Sequence, residues 1–175
     1  MKTLWGKPVA EEIYLRLEEE TARYIQSTNH APHLAVILVG SDPASSSYVS
    51  MKEKACDRLG FDHAAYRFDE SVSEERLLSL LAELNNDPKV DGILVQLPLP
   101  DHLDAAKILE AISPLKDVDG FHPVNVGNLL SGNPSLVSCT PLGILKMLEY
   151  YEIETAGKHV VVVGRSNIVG KPTAA

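Results

Sequence analysis

The sequence predicts an α/β protein built on a parallel sheet covered by helices on both faces. Three observations carry that expectation. The apolar runs HLAVILV (33–39), HAAYRF (63–68) and DGILVQLPLP (91–100) are each too short for a helix and read as strands. Stretches with apolar residues three and four apart lie between them, so strand and helix alternate as in crossover connections between parallel strands. At 175 residues, 45% of them hydrophobic, the chain is long enough to bury a real core.

Element by element, a first helix is expected over about 8–27, where Pro8 suits a first-turn position and Val9, Ile13 and Leu17 recur four apart. The run 33–39 is apolar throughout, as in a strand buried on both faces, and Gly40-Ser41-Asp42-Pro43 breaks it. Helical patterning resumes from Tyr48 to Leu59 and stops at Gly60. Beyond the second strand, Ser71 with Glu74 three residues on has the form of a capping box, and Leu77, Leu81 and Leu84 give the following helix its apolar stripe. The third strand, 91–100, is ended by Pro98 and Pro100. Asp101 is placed to cap a helix over about 103–112, with Pro114 beyond its end. Residues 114–134, dense in glycine, proline and asparagine, read as a functional loop and connector. Pro141 opens a further helix to about Tyr151, and Lys158 to Val163 begin a new α/β unit with Val160 to Val163 as its buried strand. The expected organisation is a first domain over 1–120, a connector over 121–140 and the start of a second domain over 141–175.

Charge and composition exclude several classes. A formal net charge of −8 argues against a nucleic-acid binder, which would present a basic face to phosphate. Cys56 and Cys139 have no metal-ligand spacing, so no metal site is expected and both read as reduced thiols of a cytoplasmic protein. The N-terminal stretch carries charge too often for a signal peptide, and no apolar run approaches the ~18 residues of a membrane span. A soluble chain with no membrane partner is expected.

Two places carry chemistry. VVVVGRSNIVG (160–170) joins an apolar run to a glycine-bounded turn. A Walker A loop would need four residues between its glycines and a hydroxyl after the lysine; here five separate Gly164 from Gly170, and Pro172 follows Lys171. The dinucleotide pattern GxGxxG fails as well, because Ser166 stands at its second glycine. Gly164 still permits a tight turn, Arg165 and Ser166 offer donors to phosphate, and the N–H groups of an ensuing helix would face an anion. On these residues alone the segment is either an ordinary strand-to-helix turn or a cofactor site.

The second place is Tyr48 and Lys52, four apart and hence on one helix face, after a strand whose C-terminal end is where open α/β sheets keep their ligand crevices. Taken by themselves, they are better explained as a solvated pair on an exposed face. The YxxxK of short-chain dehydrogenases does not explain them, since there the dinucleotide glycines come first. Gln96 is a polar residue in an otherwise apolar strand end, and Asp119 lies in the loop expected to cover the same mouth. An amine, an amide and a carboxylate at one crevice suit acid/base work on a nitrogen-rich substrate, because partial desolvation favours a neutral amine.

With these residues in place, the chain resembles the bifunctional methylenetetrahydrofolate dehydrogenase/methenyltetrahydrofolate cyclohydrolase family. The resemblance is carried by LAVILVGSDPASSSYVSMKEKACDRLGF (34–61), DGILVQLPLP (91–100), SPLKDVDGFHPVNVGNL (113–129), CTPLGILKML (139–148) and VVVVGRSNIVGKP (160–172), in the family's order. It implies a folate-binding αβα catalytic domain followed by the beginning of a Rossmann-like NADP-binding domain. It further implies Lys52 as the catalytic lysine, Gln96 as the glutamine that tunes it, Tyr48 as the aromatic packed on the folate ring and Asp119 as the pterin anchor. Gly164, Arg165, Ser166 and Gly170 would contact NADP. The substrates implied are one-carbon derivatives of tetrahydrofolate, in the service of purine and amino-acid biosynthesis, and the assembly implied is a homodimer. Ser138 departs from the proline that the family commonly has before Cys139-Thr140-Pro141, and family members continue for roughly another hundred residues. A truncated, non-catalytic folate-binding or dimerisation module is therefore the alternative, and NADPH production from methylenetetrahydrofolate separates the two.

Overall fold

A computed structural model describes residues 3–175. In chain order its elements are α1 (Gly6–Thr28), β1 (His33–Val39), α2 (Pro43–Leu59), β2 (Asp62–Phe68), α3 (Glu74–Asn86), β3 (Gly92–Val95), α4 (Ala105–Glu110), α5 (Pro123–Leu130), α6 (Cys139–Tyr150) and α7 (Gly170–Ala174). The chain divides into two compact units. One is Leu17–Val118; the other is the N-terminal stretch up to Arg16 together with Asp119–Ala175. Among the described residues no helix is long and apolar enough to cross a membrane.

The unit Leu17–Val118 holds a parallel sheet in the order β2-β1-β3, with Ile37 of the central strand opposite Tyr66 and Val95. Side chains alternate across a strand. Ala35, Ile37 and Val39 therefore enter one core cluster with Leu77, Leu81 and Leu84 of α3 and Ile108 of α4. Val36 and Leu38 enter the other, with Val49 of α2 and Leu94 of β3. Burial on both faces is why β1 is apolar from Leu34 to Val39.

Several boundaries differ from the sequence expectation, each for a local reason. β3 stops at Val95 rather than reaching Pro100. The Gln96 N–H still donates to Ile37 O at 2.9 Å, but Pro98 and Pro100 have no N–H to continue the ladder. α2 begins at Pro43, not Tyr48, because Asp42 caps it and proline is pre-set for a first helical turn. The cap of α3 is Ser73, whose hydroxyl accepts the Arg76 N–H, rather than Ser71. Glu74 turns instead to α4, accepting the Asp104 N–H at 3.1 Å and pairing with Lys107. The Lys107 ammonium, with that N–H, holds the Glu74 carboxyl below its usual range, and Glu74 in turn raises Lys107. α4 is capped by Asp104 rather than Asp101, since Leu103 is committed to the core before the helix starts.

Asn85 fastens the end of α3 to the segment after α4. Its Nδ2 donates to Ala111 O at 2.7 Å and its Oδ1 accepts the Ser113 N–H at 2.8 Å, both partly buried. Asn85→Ala removes both bonds and leaves two backbone groups wanting partners, so we expect a loss of about 2 kcal/mol in urea unfolding. A loss under about 0.5 kcal/mol, the range of ordinary surface substitutions, would mean that water replaces the amide.

In the other unit, α5 occupies a stretch expected to be loop. His122 caps it by accepting the Val124 N–H on Nδ1 at 3.1 Å, and Pro123 opens it. The Tyr151 hydroxyl accepts the Trp5 N–H at 2.9 Å and donates to Trp5 O at 3.0 Å, tying the chain's start to the end of α6. The strand expected over Val160 to Val163 does not form: Val160, Val161 and Val163 are 63%, 71% and 97% exposed. A strand exists only against a hydrogen-bonded neighbour, and this unit has no other strand among the described residues.

Candidate active site

The inward stripe of α2 is Ser45, Val49 and Cys56, all buried, and Lys52 falls on the same stripe. A lysine facing the sheet needs a partner for its ammonium. It has one in Gln96, where Nζ donates to Oε1 at 2.9 Å in a partly buried setting. The alternation that turns Leu94 toward α2, continued past Val95, brings Gln96 to that same face. Its amide orientation is fixed from the other end. Nε2 donates to Leu97 O at 2.7 Å, and a carbonyl can only accept, so Oε1 is the atom left for Lys52. Tyr48 lies one turn before Lys52 and is 55% exposed, presenting its ring to solvent. Cys56 is a core thiol whose pKa burial pushes up, with the charges of Asp57 and Glu53 adding.

Asp42 and Ser45 escaped the sequence reading, although Asp-Pro before a helical pattern is a start signal. Asp42 Oδ2 accepts the Ser45 N–H at 2.7 Å. That bond, and next the Ser45 hydroxyl, holds the Asp42 carboxyl below its usual range.

Asp119 belongs to the other unit and is half-buried. Gly120 beside it has φ +66°, and a Cβ there would lie 2.7 Å from Ser138 N and from Val137 C. Only glycine allows the backbones this close. Buried Ser138 donates its hydroxyl to Ile168 O and so clasps the two segments together.

The terminal turn is also built on close approach. Gly164 has φ +147°, and a Cβ on Gly170 would lie 2.5 Å from the carbonyl carbon and oxygen of Gly164. Ser166 Oγ accepts the N–H groups of Val169 and Gly170, each at 3.2 Å, and so closes the turn onto α7. Its own O–H remains free to donate, and Arg165 is exposed beside it. A guanidinium, a hydroxyl donor and a backbone without side chains fit a phosphate group.

The class is thus a parallel α/β domain with a lysine–amide pair at a strand's C-terminal end, on a chain that also carries a close-packed glycine turn. The chain belongs to the tetrahydrofolate dehydrogenase/cyclohydrolase family: the model of the family's catalytic domain matches residues 4–119, and that of its NAD(P)-binding domain matches 138–175. The bifunctional protein FolD of Sulfurovum sp. is 50% identical over 174 residues, 99% of this chain and 62% of that protein. The crystal structure of the bifunctional FolD methylenetetrahydrofolate dehydrogenase/cyclohydrolase from Campylobacter jejuni has a TM-score of 0.95 and 48% identity, covering 99% of this chain and 62% of that one. The Trypanosoma brucei methylenetetrahydrofolate dehydrogenase-cyclohydrolase, complexed with NADP cofactor and inhibitor, gives 0.92 at 37% identity over 97% of this chain and 58% of that one. The chain spans about three fifths of the length of these relatives.

Proposed function

We propose that the protein oxidises 5,10-methylenetetrahydrofolate to 5,10-methenyltetrahydrofolate with NADP and hydrolyses the product to 10-formyltetrahydrofolate. The observation that carries this reading is the Lys52–Gln96 bond at 2.9 Å, an amine set on the inward face of α2 and oriented by a fixed amide. Oxidation removes a hydride from the bridging methylene and leaves a methenyl cation. Water then adds to that carbon and gives up both of its protons to become the formyl oxygen, as the bond from the carbon to N5 breaks and N5 takes up one proton. One proton is released overall. Lys52 is the group we assign to proton transfer at the bridge, with Gln96 holding its nitrogen in place. Tyr48 packs against the folate ring system, and Asp119 anchors the pterin through hydrogen bonds to its carboxylate.

NADP, when bound, supplies the hydride acceptor. Arg165 and Ser166 would hold its phosphate, with Gly164 and Gly170 keeping the turn bare of side chains. The same reading takes the protein to act as a homodimer in the cytoplasm, for which sedimentation of the purified protein is the check. The function itself is tested by following methenyltetrahydrofolate hydrolysis and NADPH formation from methylenetetrahydrofolate. Folate binding with neither reaction would overturn it.

Asp119→Ala is expected to weaken folate binding more than NADP binding. Losing hydrogen bonds to a charged group costs about 1.5–3 kcal/mol, or roughly ten- to a hundredfold in Kd. Calorimetric titration with a folate analogue checks this, and an unchanged Kd would remove Asp119 from the site.

A further inference from the structure

We propose that Asp42 is a positioning residue for the Lys52–Gln96 pair, acting through the register of α2. This rests on the functional reading above only for its kinetic consequence; the geometric argument stands apart from it. The acceptor half of the pair is rigid. The Gln96 backbone N–H is tied to Ile37 O at 2.9 Å and its side-chain amide to Leu97 O at 2.7 Å, so Oε1 cannot follow a displaced partner. The donor half rides on α2, and its place depends on where that helix starts and how it is rotated. Asp42 sets both. Its carboxylate takes the Ser45 N–H at 2.7 Å, while its backbone carbonyl takes the Ser46 N–H at 2.9 Å, the first bond of the helix. Ser45 is 4% exposed and begins the inward stripe that continues through Val49 to Lys52, two turns along at nearly the same angle. Gly40, at φ +83°, ends β1 only two residues earlier, so little chain intervenes between sheet and cap to absorb a shift.

The test compares the parent protein with Asp42→Ala, Asp42→Asn and Ser73→Ala. Ser73→Ala removes an N-cap of the same kind from α3, a helix that carries no residue of the site. Lys52 is read directly, by mass spectrometry after limited acylation with acetic anhydride, alongside steady-state hydrolysis of methenyltetrahydrofolate. Asp42→Ala is expected to acylate about threefold faster at Lys52 and to lose about tenfold in kcat with KM little changed, since small misplacements of reacting groups cost rate rather than binding. Asp42→Asn, an equal cap, should restore both, and Ser73→Ala should lower Tm while moving neither. Asp42→Gly removes the same acceptor at smaller cost to the helix and repeats the test if Asp42→Ala folds poorly. Parent-like acylation of Lys52 in Asp42→Ala and Asp42→Gly would overturn the proposal. A parent that hydrolyses nothing, but whose Lys52 becomes more reactive in Asp42→Ala, would uphold the positioning role and overturn the functional reading instead.

Discussion

Lys52→Met is expected to abolish hydrolysis of 5,10-methenyltetrahydrofolate while leaving the protein folded. Methionine matches the lysine stem in length and is content on the half-buried stripe beside Val49 and Cys56, so packing is conserved. The substitution does take away the Lys52 donor to Gln96 Oε1, and with it the amine assigned to proton transfer. General acid–base catalysis contributes about a hundred- to ten-thousandfold, which sets the expected fall in kcat. Tm should move by no more than a few degrees, since a part-buried hydrogen bond is worth about 1 kcal/mol. Absorbance decay of the methenyl substrate together with a thermal melt decides the matter. Parent-like hydrolysis by a folded variant would exclude Lys52 from the chemistry.

Much of the unit Leu17–Val118 is legible in the sequence because its signals are local. The apolar run of β1 announces burial on two faces, and Gln96 announces itself as the polar residue at the end of another such run. What local pattern does not give is direction. Tyr48 and Lys52 share a helix face by spacing, yet Tyr48 looks to solvent while Lys52 lies in line with buried Ser45 and Val49. Only the packing of α2 on Val36, Leu38 and Leu94 decides that. Boundaries fail where two signals compete. Gly40 and Ser41 conceal the Asp42-Pro43 cap, and the glycines and asparagines around α5 conceal a helix that His122 and Pro123 start. Val160 to Val163 mark the opposite failure: their composition predicts burial, but a strand is a relation between chains of residues, and its partner is not encoded in the run itself.

Gly120→Ala is expected to destabilise strongly the unit that holds Asp119. At φ +66° a Cβ costs about 1–2 kcal/mol in backbone strain alone. The added atom would also stand 2.7 Å from Val137 C and Ser138 N and 3.0 Å from Leu136 O. These neighbours are backbone and cannot swing aside as a side chain would, and overpacking of this kind costs about 1–3 kcal/mol more. The sum is roughly 2–5 kcal/mol, a large share of the stability of a small domain. Relief can come only by parting the 119–120 turn from the 136–138 segment, which carries the clasp from Ser138 to Ile168 and displaces the neighbouring Asp119 carboxylate. Folate affinity should therefore fall together with stability. Gly127→Ala is the control: that glycine lies inside α5 with nothing within 4 Å of its would-be Cβ, so alanine there should be neutral or stabilising by up to about 1 kcal/mol. Urea unfolding of the two variants and calorimetry with a folate analogue make the comparison. A Gly120→Ala protein within about 0.5 kcal/mol of the parent and with parent-like folate affinity would show that the turn yields at little cost, and that Asp119 is not held in place by its neighbour.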